Sequence, residues 1–199
     1  MLQLCFVRHG ETDWNRQGRI QGRTDVPLND TGRAQARELA STLSFEHWHG
    51  VVSSPLLRAD ETAQIVAREL RLPDPRHLAE LAERGYGEAE GTPWANFDER
   101  FDGAPPNGME PASGVVERVV RGLELLDGEQ PGATLIIVTH HEILRVVSHL
   151  ASRAPSAEAL ENGSSLLMSF DAGGLRYRES RDSRDLADSH GVAGSSQPE

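Results

Sequence analysis

The chain has 199 residues, with 20 Lys and Arg against 31 Asp and Glu and a formal net charge of −11. That length supports one domain with a substantial core, and that charge disfavours nucleic acid and anionic membrane surfaces as partners. All 20 cations are Arg, which excludes Schiff-base and P-loop chemistry; the single cysteine, Cys5, excludes an intrachain disulfide framework and cysteine-cluster zinc.

In chain order, Leu2 to Val7 is a short apolar run that ends in Arg8-His9-Gly10 and reads as a buried strand entering a turn. No basic stretch precedes it, so no signal peptide is expected. Thr31 to Leu43 reads as a helix with Ala34, Leu39, Ala40 and Leu43 on one face and Asp30 or Thr31 as cap. Val51-Val52 is a second strand leaving into Ser53-Ser54-Pro55. Ala59 to Leu70 reads as a helix with Ala63, Val66 and Leu70 inward, acids early and Arg68 late.

Residues 85–114 are rich in Gly, Pro, acids and aromatics, and read as an excursion or lid over one end of the fold. Val115 to Leu126 reads as a helix ended by Gly128 and Pro131-Gly132. Leu135 to Val138 is the strongest strand signal and stops at Thr139-His140-His141; it is also the longest strongly apolar run, too short to span a membrane. A helix over Ile143 to Leu150 and a strand over Leu166 to Phe170 follow. The alternation predicts an α/β fold, a three-layer α/β/α sandwich with a mostly parallel central sheet. A single domain is expected over residues 1–177, with 178–199 as a disordered tail. A soluble cytoplasmic protein is expected.

Ligands of open α/β sheets bind beyond the carboxyl ends of the strands. Three predicted strands end there in reactive residues: Arg8-His9, Ser53-Ser54 leading to Arg58, and Thr139-His140-His141. Two guanidiniums suit phosphate oxygens, and a neutral imidazole can attack phosphorus near pH 7. The pattern points to phosphoryl transfer through a phosphohistidine. Taken alone, it is equally compatible with structural histidines and surface arginines.

The opening segment FVRHGETDWNRQGRIQGRTDVPLNDTGRAQA resembles the signature of the histidine phosphatase superfamily, in its phosphoglycerate-mutase-like branch. SSPLLRADETAQIVA, LAERGYGEAEG, LIIVTHHEILR and ENGSSLLMSF resemble further blocks of that family, in family order, over about residues 2 to 170. The resemblance implies that His9 is the nucleophile, that Arg8 and Arg58 clamp the phosphoryl oxygens and that His140 adds a hydrogen bond. It implies that Glu83 protonates the leaving oxygen and then activates water. Asn15 would contact the phosphate, with Gln21 and Gly22 lining the mouth. Fixed cations would offset the charge spread over the transferring group, and burial would have to keep the Glu83 proton in place.

The chain departs from the family at two points. His141 stands where the family has Gly, and it either contacts the substrate or turns away. Gly108-Met109-Glu110-Pro111 is a weak match to a Gly-Glu-Ser step, so no role falls to Ser113. No metal site is expected: His141-Glu142 is not followed by His at position 145, and His47 and His49 read as exposed loop residues. Trp14, Tyr86, Trp94 and Phe97 read as packing for the excursion, or as walls for an organic group.

The resemblance implies a phosphatase for small phosphorylated metabolites, without cofactor or metal. The alternative is a phosphoglycerate mutase dependent on 2,3-bisphosphoglycerate, which Glu83-Arg84-Gly85-Tyr86-Gly87 favours. Only 57 positions separate Glu83 from His140, and Asp98, Glu99, Asp102 and Glu110 oppose Arg100 in the excursion. An acidic lid should repel a second anionic group, which favours the phosphatase. A non-catalytic binding or regulatory protein is the third reading; the presence of Arg8, His9, Arg58, Glu83 and His140 together argues against it. Oligomeric state is left open.

Overall fold

The first apolar run forms β1 (Leu2–Arg8), which lies inside a six-stranded sheet in the computed structural model, where residues 1–152 and 161–178 are described. The other strands are β2 (Gly50–Ser53), β3 (Arg76–His77), β4 (Thr134–Thr139), β5 (Ser165–Asp171) and β6 (Gly174–Tyr177), in the order β3-β2-β4-β1-β5-β6. β1, β2, β3 and β4 are parallel to their neighbours in that block, whereas β5 runs antiparallel to both β1 and β6. The sheet is therefore mostly parallel, as the alternation predicts.

The helices are α1 (Asp13–Arg16), α2 (Asp30–Leu43), α3 (Leu57–Glu69), α4 (Phe97–Phe101), α5 (Ala112–Glu129) and α6 (His141–Leu150). Period-two alternation along the strands sorts the core into two layers. Leu2, Leu4, Phe6, Leu135 and Ile137 face α5 and α6. Cys5, Val7, Ile136 and Val138 face α2 and α3. Strands covered on both faces need continuous apolar runs, which is why the central ones read so clearly.

Several boundaries differ from expectation. Asn29, not Asp30 or Thr31, caps α2, accepting from the Gly32 N–H at 2.9 Å. Ala34 is exposed and Ala36 takes the inward position, because the 3.6-residue repeat starts from the true cap. α5 runs through Gly128 to Glu129: its apolar face stays packed to Leu126, and tertiary burial overrides the glycine. β3 and β6 are too short to show an apolar period. Residues 179–199, most of the expected disordered tail, lie outside the described residues. Among the described residues, no helix is long and apolar enough to cross a membrane.

Strand register sets up the site. Arg8 pairs with Thr139, and Ser53 with Val138. Backbone bonds extend the ladder past the strands, from His9 N–H to Thr139 O and from Ser54 N–H to Val138 O, both at 3.0 Å. His9, Ser54 and His140 therefore leave the sheet side by side. Gly10 and Gly32 touch backbone to backbone, so neither position has room for a Cβ, and the turn after β1 packs directly on the start of α2.

Residues 85–114 contain 3₁₀ turns at Gly87–Ala89 and Trp94–Asn96, then α4. Ile20, Tyr86 and Ala89 form a small core with Phe97, Phe101 and Met109. Three backbone bonds attach this segment to the loop after α1: Ile20 N–H to Thr92 O at 2.9 Å, Gly91 N–H to Ile20 O at 2.7 Å and Trp94 N–H to Gly18 O at 2.9 Å.

Candidate active site

His9 is 2 % exposed at the end of β1. Its Nδ1 lies 2.7 Å from the Gly10 carbonyl oxygen. A carbonyl only accepts, so Nδ1 carries the hydrogen and Nε2 keeps its lone pair. Arg58 Nε donates to that Nε2 at 3.3 Å. The Arg58 guanidinium is itself held by Gly22 O at 2.8 Å and Thr24 O at 3.0 Å. Thr62, one turn further along α3, accepts from Gly10 N–H at 3.1 Å and donates to Arg58 O at 2.7 Å, tying the turn after β1 to α3.

Burial, then the Arg58 and Arg8 charges, hold the His9 imidazole well below its usual pKa, so it stays neutral. Burial also lowers Arg58, to about 10, which leaves it charged at neutral pH. His140 is fully buried behind His9, with ring centroids 5.2 Å apart, and its Nε2 lies 2.7 Å from Ser54 Oγ. Its Nδ1 is buried with no partner among the described residues. Burial and the Arg58 charge depress its pKa as well.

Glu83 approaches from the loop that follows β3. Thr139 Oγ donates to Leu81 O at 2.8 Å, anchoring the 3₁₀ turn Ala79–Leu81 just before it. Arg118 of α5 reaches Glu80 O at 2.6 Å and Glu83 O at 3.2 Å, and is ion-paired to Glu110 at 2.8 Å. The Glu83 carboxylate accepts from Arg84 N–H at 2.9 Å. Burial raises its pKa, against the lowering effects of that N–H and of Arg58. A neutral imidazole, a carboxyl whose pKa burial raises and two guanidiniums thus converge on one cavity of about 260 Å³.

The other expected residues fall around it. Asn15, Gln21, Gly22 and His141 all line the cavity. Asn15 completes a capping box with Thr12 at the start of α1, and Gln21 Oε1 accepts from Thr12 Oγ at 3.0 Å. Gly22 has a φ of 53°, and a Cβ there would run into the Glu90 carboxylate. Glu90 needs that space: it accepts from the backbone N–H groups of Arg23, Thr24 and Tyr86.

Asn162 is a contributor that no local signal marks, and Ser54, expected at the strand end, gains a specific partner. Asn162 Nδ2 donates to His9 O at 2.9 Å and to Asn15 Oδ1 at 3.3 Å. Ser54 holds His140. Nothing local marks either one as the partner of a histidine far away in the chain.

The sequence model described as histidine phosphatase superfamily (branch 1) matches residues 4–183. The chain belongs to that superfamily. It is 40% identical over 153 residues to a Bacillus subtilis (strain 168) protein called "Uncharacterized phosphatase PhoE", covering 74% of this chain and 78% of that one. It is 34% identical over 177 residues to the "Metal-independent phosphoserine phosphatase" of Arabidopsis thaliana, covering 82% and 74%. The crystal structure of phosphoglycerate mutase from Thermus thermophilus superposes with a TM-score of 0.71 at 33% identity, covering 89% of this chain and 96% of that one. The fold is that of the phosphoglycerate-mutase-like histidine phosphatases.

The excursion does not form the acidic lid expected from its composition. Asp98, Glu99 and Asp102 are exposed and do not line the cavity. Glu110 is held by Arg118 and by Arg23, the latter at 3.3 Å. Glu83 is the one carboxylate among the cavity-lining residues, so the excursion presents Tyr86 and Trp94 to the site rather than negative charge. His47 and His49 are exposed as expected, and His49 Nδ1 accepts from Thr134 N–H at 3.0 Å.

Proposed function

We propose that this histidine phosphatase superfamily member hydrolyses small-molecule phosphomonoesters through a phosphohistidine at Nε2 of His9. The observation that carries this reading is the Nδ1 contact to Gly10 O, which leaves Nε2 unprotonated, its lone pair accepting only from the Arg58 guanidinium that is to hand over to the phosphoryl oxygens. Arg8 and Arg58, which line the cavity, offset charge on the three equatorial oxygens; His140, packed 5.2 Å behind the His9 ring and outside the cavity lining, is proposed to turn its Nδ1, unpartnered among the described residues, to them as a further donor.

In the first step the Nε2 lone pair forms the N–P bond while the ester P–O bond breaks. Glu83 gives its proton to the departing alkoxide. In the second step water attacks phosphorus, Glu83 takes the proton from that water, and the P–N bond electrons return to His9. Inorganic phosphate leaves and both groups are restored. Two guanidiniums supply the charge stabilisation, so the reading requires no metal. The test is hydrolysis of 4-nitrophenyl phosphate with and without chelator, together with acid-quench trapping of radiolabel during turnover. Label recovered on His9 and a rate indifferent to chelator support the proposal; chelator-sensitive turnover, or label elsewhere, defeats it.

A second reading, phosphoglycerate mutase, is favoured by one observation. Arg19 lines the cavity mouth and pairs with no carboxylate among the described residues, so a second anionic group would find a cation there. Incubation with 3-phosphoglycerate and a trace of 2,3-bisphosphoglycerate separates the two. Release of phosphate marks the phosphatase, and isomer interconversion without release marks the mutase.

A further inference from the structure

The excursion sorts its aromatic side chains into two environments. Tyr86 is buried, and Phe97 and Phe101 are half-buried against the small Ile20–Ala89 core. Trp94 stays out of that core, is 51 % exposed and lines the cavity. Its backbone N–H donates to Gly18 O at 2.9 Å and Pro93 bridges to Arg19, so its main chain is fixed to the opposite rim. Its ring is wedged edge-on against Tyr86 at 5.4 Å and tilted against Phe97 at 5.7 Å. An indole that is held rigidly and left half in solvent keeps a free π surface at the cavity mouth.

The leaving group must lie on this side. Glu83 and Tyr86 come from the same loop, and the leaving oxygen has to sit within hydrogen-bond reach of Glu83. The cavity, at about 260 Å³, falls below the range of roughly 300–1,000 Å³ for drug-sized ligands. It has room for a phosphoryl group and one ring.

We infer that the Trp94 indole, beside Tyr86, is the platform on which the leaving group stacks, and that the preferred substrates are monophosphates of alcohols bearing a single planar aromatic ring. The inference rests on the phosphatase reading for its substrate, but the binding it predicts is measurable without turnover. Stacking on an aromatic wall of this kind is worth roughly tenfold in affinity.

The experiment is calorimetric titration of the full chain with benzylphosphonate and methylphosphonate, which share the anionic head. The wild type is expected to bind benzylphosphonate about tenfold more tightly. Trp94→Leu, which keeps apolar area but not the ring, should abolish that preference, and Trp94→Phe should retain most of it. In turnover, Trp94→Leu should raise KM for 2-phenylethyl phosphate about tenfold more than KM for butyl phosphate, while Trp94→Phe keeps the two in their wild-type ratio; the two alcohols are matched as leaving groups. Equal binding of the two phosphonates by the wild type, or an undiminished preference in Trp94→Leu, overturns the inference. A Trp94-dependent preference without hydrolysis of either ester upholds the platform and removes the phosphatase reading instead.

Discussion

Arg58 Nε lies 3.3 Å from Nε2 of His9, although the two residues are 49 positions apart in the chain. The contact aims a fixed cation at the one nitrogen that can attack phosphorus. It also penalises protonation of that nitrogen, so the imidazole remains a nucleophile where an exposed histidine would begin to charge.

Replacement of His9 is therefore expected to be the most damaging single change. His9→Ala should lower kcat on aryl phosphates by on the order of 10⁴ or more, since no second nucleophile occupies that position. Single-turnover quench should recover no acid-labile phosphoprotein from the variant. Residual activity within a hundredfold of wild type would assign the nucleophile elsewhere.

Arg58→Lys keeps the charge and loses the fork. A lysine cannot hold the Gly22 and Thr24 carbonyls while also reaching His9, as Arg58 does. A fall in kcat/KM of about a hundredfold or more is expected, with inhibition by inorganic phosphate weakened in parallel. An unchanged phosphate inhibition constant would remove Arg58 from the phosphoryl site.

Glu83→Gln tests the proton donor. The loss in kcat/KM, which reports transfer to His9 and not the later hydrolysis that all esters share, should be about 10²–10⁴-fold for an alkyl ester. It should be much smaller for 4-nitrophenyl phosphate, whose leaving oxygen scarcely needs a proton. The wild-type pH profile should be bell-shaped, with the acid limb set by protonation of His9, whose pKa is depressed, and the alkaline limb by ionisation of Glu83, whose pKa is raised. The variant should lose the alkaline limb. Equal losses on both esters would deny the role.

Stability should also depend on pH. His9 and His140 resist protonation in the folded state, whereas the unfolded chain takes up protons near 6.5. The unfolded state then binds more protons, so stability falls as pH drops below about 6.5. Glu83 acts oppositely: the unfolded chain ionises first as pH rises through 4.5, and stability is lost across the interval up to the raised folded value. Urea unfolding at pH 7.5 and 5.5, in wild type and His140→Gln, isolates one histidine. The pH difference should shrink in the variant, by up to about 1.4 kcal/mol per pH unit. An identical difference would mean that His140 titrates normally.

Gly22→Ala probes the rim. It places a side chain at positive φ, at a cost of roughly 1–2 kcal/mol, and forces the Glu90 carboxylate off three backbone N–H groups. The expected outcome is a melting temperature lower by several degrees and a KM raised about tenfold, because Gly22 O no longer fixes Arg58. A variant with wild-type KM would separate the rim from the phosphoryl clamp.

The amino-acid sequence by itself determined the sheet's central strands, the helices between them and the residues at the strand ends. These rest on local signals: uninterrupted apolar runs, and an Arg-His, Ser-Ser or Thr-His-His step directly after each run. It did not reveal that Ala36 rather than Ala34 turns inward, that α5 continues through Gly128, or that the acids of residues 85–114 point away from the cavity. Nor did it reveal Asn162 and Ser54 as partners of His9 and His140. Those outcomes depend on which surfaces meet after the strands pair. Only the tertiary structure decided which imidazole nitrogen carries the lone pair, because a Gly10 carbonyl and an Arg58 guanidinium had first to be packed against the two nitrogens of one buried ring.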